Sequence, residues 1–246
     1  MRESATITKK NQGKKHLNYA ATLLDLGTVL LERGKRGAAD ALFREALPII
    51  EETLGTESSQ YAAAEHSLGR SLLEQHRYSE AEAHLRSAVA THAKLLGQNH
   101  LAYAGSLHEL AGLLLHRGSY ADAEQIFRSV LTIKEALLGD EHPALCAPLN
   151  QLGVTLASQR HFVAAEALIA RSIEIARKHG SYPLGVGVGL LTLALLQAAR
   201  GGVEAPETAR RALDALQHSL GPKAPESRAA AQLLEDLTGG VSTSRR

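Results

Sequence analysis

The sequence predicts an all-α protein, a solenoid of stacked antiparallel helical hairpins, on three observations. Its residues repeat every 42 positions: Leu26, Leu68, Leu110 and Leu152 stand in one column, and Ala39, Ala81, Ala123 and Ala165 in another. The pairs Leu54-Gly55, Leu96-Gly97 and Leu138-Gly139 form a third. Within a unit, Leu107, Leu110 and Leu114 recur at three- and four-residue steps, as do Phe127, Val130, Leu131 and Leu138. That spacing gives each of two helices one buried face. Finally, hydrophobic residues make up 44% of the 246-residue chain while aromatics make up 4%, with no Trp, which suits helix-on-helix packing better than a sheet.

Each unit carries a turn signal between its helices: GKRGAAD (34–40), HRYSEAE (76–82), GSYADAE (118–124) and RHFVAAE (160–166). Gly118 is placed to stop a first helix, and Pro143 restricts the residue before it and marks the next start. Ala111, Gly112, Ala81 and Ala123 are small where paired helices must approach closely.

Taken in order, residues 1–17 carry Arg2, Lys9, Lys10, Lys14 and Lys15 against Glu3, with no apolar core, and read as a basic, disordered arm and not a signal peptide. One solenoid is expected over 18–238, with repeats at about 20–54, 62–96, 104–138, 146–179 and 187–220. The first departs at Arg36, where the others have Tyr78, Tyr120 and Phe162, a polar replacement expected of a terminal repeat. The second departs at Glu65, where the others have Leu23, Leu107 and Leu149, and at His76, where glycine is usual. Both are expected weak points. The fourth ends in HGSYP with a link two residues shorter, where the pitch should change, and the turn around Gly201 and Gly202 should be one residue short. Pro206 suits the first turn of the helix that follows. A capping helix is expected at 226–237 and a flexible tail at 239–246.

These residues resemble the tetratricopeptide repeat, whose pattern of Leu, Gly or Ala, Leu, a Gly-x-Tyr turn, Ala, an aromatic and Ala is met by the unit centred on 110–143. The longer unit ending in LLGDEHP is similar to the kinesin-light-chain type of that repeat. The resemblance covers about 18–238 and implies a right-handed α-solenoid of about five repeats plus a C-terminal capping helix. It also implies a scaffold that binds an extended peptide or partner segment along the concave groove of the first helices. The family places asparagines just before the Leu-Gly pair to hold a peptide's main chain. Here those places read Leu24-Asp25, His66-Ser67, His108-Glu109 and Asn150-Gln151, so Asn150 alone carries over. By helical spacing, Thr28, Glu32, His66, Arg70, Glu74, His108, His116, Asn150 and Ser158 line the groove. Asn150 can donate and accept at once, and Arg70 is placed to pair with a ligand carboxylate. The alternative is a regulatory or self-associating solenoid whose groove takes a small signal or a segment of its own chain.

Other functions find less support. With Lys+Arg 27 against Asp+Glu 26, the net charge of +1 argues against a nucleic-acid or acidic-membrane surface. Residues 183–199 lack charge but are short for a bilayer, and read as a first helix packed on both sides, with Gly185, Gly187 and Gly189 making its start prone to fray. Cys146 is alone, which excludes an intramolecular disulfide and points to a reducing, cytoplasmic setting. Its thiol reads as a small buried hydrophobe. His108-Glu109 begins a zinc pattern that fails at Gly112. Gly27, Gly34 and Lys35 lack the phosphate-loop spacing, and GVGVG follows no strand. No catalytic residue, metal or cofactor is expected. His66 and His108 share a column and read as polar lining of the groove.

Overall fold

The structure is a computed structural model and describes residues 17–179 and 184–239. The expected arm apart from Leu17, the tail beyond Gly239 and the shortened link at 180–183 lie outside the described residues. The chain divides into two compact units, 1–119 and 120–246, at the turn inside the expected third repeat.

In the first unit, α1 (Leu17–Glu32) and α2 (Arg36–Leu54) form one hairpin, and α3 (Ser59–Glu74) and α4 (Tyr78–Leu96) the next. Helix α5 (Leu101–His116) packs on α3 and α4. In the second unit, α6 (Tyr120–Leu138) packs on α7 (Cys146–Ser158), which a single 3-10 turn (Pro143–Leu145) precedes. Helix α7 pairs with α8 (Phe162–Lys178), α9 (Leu184–Ala199) pairs with α10 (Ala205–Leu220), and α11 (Pro225–Gly239) covers the end. No strand occurs among the described residues.

The repeating columns are the packing positions. Leu68, Leu152, Ala39, Ala81, Ala123 and Ala165 are all buried. A Cβ added at Gly27, Gly69 or Gly153 would fall within 3 Å of Phe43, Leu85 or Ile169, each sixteen residues on in the partner helix. The hairpins therefore close around absent side chains. Gly187 and Gly189 do the same against Leu216 and Ile173. They lie inside an unbroken α9 and set its close approach, so the expected fraying gives way to packing.

Turn chemistry follows the same period. The residue that ends each first helix is left-handed, at Gly34, His76, Gly118, Arg160 and Gly201. After the second helices, Gly55, Gly97 and Gly221 combine φ of 77–81° with ψ of 165–170°, a region that only glycine enters freely. First helices are then capped by side chains: Ser58 Oγ accepts from the Tyr61 N–H, and His100 and His142 Nδ1 accept from the N–H groups of Ala102 and Ala144. The connection before α10 spans 200–204, longer than the three residues elsewhere, because Pro206 fixes the start of α10 and Gly201-Gly202-Val203 fills the gap.

Glu65 is not a hole in the core. It is 4% exposed, and His84 Nδ1 lies 3.1 Å from its carboxylate. The histidine supplies the partner that a buried acid requires.

Candidate partner-binding face

Burial of one side of each first helix leaves the other side as a stripe. In the first unit the exposed or half-exposed residues are Asp25, Thr28 and Glu32 on α1, Ser67, Arg70 and Glu74 on α3, and Glu109 and His116 on α5. Helices α1, α3 and α5 lie side by side in that order. In the second unit the stripe runs through Gln151, Val154 and Ser158 on α7, then Val188, Thr192 and Leu195 on α9.

Thr28, Glu32, Arg70, Glu74 and His116 thus fall on the first unit's stripe and Ser158 on the second's, while His66, His108 and Asn150 flank their stripes and are half-buried. Spacing alone overlooked Asp25, Ser67, Glu109, Gln151 and Val154. Each lies one or two turns before a residue it did name, which is the signal that would have found it.

The charges are partly engaged. Arg70 lies 3.6 Å from Glu74, and Arg36 reaches the other oxygen of the same carboxylate at 3.1 Å. Its guanidinium is therefore shared with its own helix before any ligand arrives. At the edge of the face Tyr78 stacks on His116 and accepts or donates a hydrogen bond at 2.8 Å with His76 Nδ1.

His66 has a different role from the one its column suggests. Ser106 Oγ of α5 lies 3.3 Å from its Nδ1 and 3.0 Å from Nδ1 of His92 on α4, so one buried hydroxyl links two imidazoles. A hydroxyl has one proton to give, so one ring accepts at Nδ1 while the other donates. Burial, then Arg70, then His92 push His66 down to about 4, and burial, then His100, lowers His92. Both rings are neutral near pH 7. The sequence does carry this signal, since His92 stands in the column of buried Ile50 and Ala176, and Ser106 in that of buried Ala64.

No group of His, Cys, Asp and Glu among the described residues has the arrangement of a metal site. Cys146 is half-buried, and burial pushes its thiol up, away from the reactive thiolate. No helix among the described residues is long and apolar enough to cross a membrane.

The tetratricopeptide repeat model matches residues 37–94, 60–136 and 102–178. No curated protein matches the chain in sequence. Among solved structures, kinesin light chain TPR-like repeats from Podosopora anserina are 24% identical, with a TM-score of 0.65 over 83% of this chain and 98% of theirs. BtubC (BKLC) from P. vanneervenii is 16% identical, with a TM-score of 0.67 over 98% of this chain and 88% of its own. The apo form of RapI is 13% identical, with a TM-score of 0.67 over 92% and 84%. Likeness at these identities is likeness of fold.

Proposed function

The chain belongs to the tetratricopeptide repeat family, and from that premise we propose that it is a protein-interaction scaffold holding an extended peptide or partner segment on the stripes of its first helices. The observation that carries the reading is the registered exposure of those stripes. Asp25, Ser67 and Glu109 recur 42 residues apart, as do Thr28 and Arg70, on helices that lie side by side. A segment laid across them meets equivalent positions on successive repeats, so its contacts add along the stack. The hairpin cores are filled and the face is polar and accessible, which suits recognition better than turnover.

Extracts of the cell that makes the protein provide the test. The full chain and a variant carrying Thr28→Ala, Arg70→Ala and Asn150→Ala are each used for capture after their melting curves are compared. Partners held by the parent and lost by an equally folded variant support the face. The reading fails if both capture the same proteins while Val163→Glu, on the solvent side of second helix α8, releases them.

A further inference from the structure

The second unit's face differs from the first's in a way that restricts what can lie on it. Helices α7 and α9 pack side by side and contain no Asp, Glu, Lys or Arg. Val154 and Leu195 are 38% and 51% exposed there, with Val188 and Leu191 half-exposed beside Leu195. The hydroxyls of this face are turned back on their own helices. Ser158 Oγ donates to the Val154 carbonyl at 3.0 Å, and Thr192 Oγ1 to the Val188 carbonyl at 3.0 Å. The amides of Asn150 and Gln151 remain, and their side-chain oxygens are buried with no hydrogen-bond partner. An acceptor buried without a donor is unfavourable. Because the last torsion of an amide side chain is soft, both oxygens can turn toward a donor laid over them.

We propose that this face binds an extended, uncharged peptide segment whose apolar side chains cover Val154 and Leu195 and whose main-chain N–H groups donate to Asn150 and Gln151. The inference rests on the peptide-binding reading above and narrows it to the second unit and one ligand class. Charge decides the class, since a Lys or Glu pressed onto Leu195 loses hydration and finds no counter-charge on either helix. The amides decide the conformation. A helical ligand has already spent its N–H groups internally, whereas an extended one still needs acceptors for them. The first unit offers a contrasting surface, with Asp25 and Glu32 exposed on α1.

The test uses the full chain and three capped synthetic peptides that share alternating Val and Leu and carry Ser and Thr, Lys, or Glu at the positions between. The Ser/Thr peptide should bind and slow amide exchange along α7 and α9, with the Lys and Glu peptides at least about tenfold weaker. Leu195→Glu should weaken the Ser/Thr peptide by about tenfold or more, and the pair Asn150→Ala, Gln151→Ala should weaken it without moving the melting temperature downward. If Leu195→Glu lowers the melting temperature, Leu195→Ser reads the same contact. Equal binding of all three peptides, or unchanged binding by the Leu195 variants, overturns the proposal. Protection of α3 and α5 in place of α7 and α9 overturns it while leaving the general peptide-binding reading intact. Protection of no first helix by any peptide removes both. A concentration-dependent mass that Leu195→Glu abolishes identifies a second copy of the chain as the occupant and also overturns it.

Discussion

Replacing Gly27 with Ala sets close packing against helix propensity at one atom. A Cβ at Gly27 lies 2.4 Å from Phe43 Cε1 and 2.9 Å from Cδ1 and Cζ. Carbon atoms attract best at about 3.5–4.0 Å, so the ring or the helix must give by about 1 Å. Phe43 has little room, because it is fully buried between α1 and its own helix. Overpacking of a core costs about 1–3 kcal/mol, and an overlap this deep belongs in the upper half of that range. Alanine returns about 0.5–1 kcal/mol by restricting the unfolded chain and favouring helix. The net expectation is a loss of about 1–2.5 kcal/mol. Gly105 in α5 supplies the opposite case, since nothing lies within 4 Å of its would-be Cβ. Gly105→Ala should therefore gain about 0.5–1 kcal/mol. Urea titrations followed by circular dichroism, run on parent and both variants, measure the two signs. A Gly27→Ala protein as stable as the parent would refute the close approach, and a weaker Gly105→Ala protein would refute the open space.

Gly97 has the converse problem, with nothing near its Cβ but φ of 79° and ψ of 170°; Gly97→Ala should cost about 1–3 kcal/mol through backbone strain alone, and an unchanged urea midpoint would count against that geometry. Gln197 is 8% exposed, its Oε1 has no partner, and it stands where the earlier first helices have Leu30, Leu72, Leu114 and Leu156; Gln197→Leu should raise stability by about 1–3 kcal/mol, and a lowered melting temperature would show that the amide is bonded. His66 takes its proton near pH 4 when folded but near 6.5 when unfolded, so the unfolded state binds the extra proton in that window. Stability should then fall as pH drops from about 6.5 toward 4, by roughly 3 kcal/mol from His66, with His92 acting in the same direction. A parent protein whose urea midpoint is flat from pH 7 to 4.5, or a His66→Asn protein with the same pH slope, would contradict this.

Most of the fold was legible because packing and sequence share a period. Leu26, Ala39 and Gly27 and their repeats are buried columns, and a column is visible in a string of letters. Gly55, Gly97 and Gly139 were visible as a column too, though their reason is a backbone angle that letters do not show. The candidate face was harder. Helical spacing found Thr28 and Glu32 but misjudged His66, since a polar residue at a helix–helix seam can turn either to solvent or to a neighbour. The neighbour here, Ser106, comes from another helix of the stack. Glu65 misled for the same reason, its partner His84 lying nineteen residues away. In both cases the clue is a polar residue in a column that is apolar elsewhere, and the missing half is another such residue close in space.

The acid that closes each turn signal explains how the faces became free to differ. Asp40, Glu82, Glu124 and Glu166 stand 42 residues apart. Within the first unit Asp40 pairs with Arg77 at 3.6 Å and Glu82 with Arg117. Within the second, Glu124 accepts from Gln159 at 2.8 Å and Glu166 pairs with Arg200 at 2.8 Å. Each partner lies in the turn of the following repeat, 34 to 37 residues on. Exposed pairs of this kind contribute about 0–1 kcal/mol apiece, too little to hold repeats together but enough to prefer one register over its neighbours. Cohesion comes from the buried columns, and alignment from the turn edge. The solvent side of the first helices performs neither task, so its residues can change without loss of fold. That is why α1 exposes Asp25 and Glu32 while α9 exposes Leu195, and why substitutions on these stripes should alter partners before they alter stability.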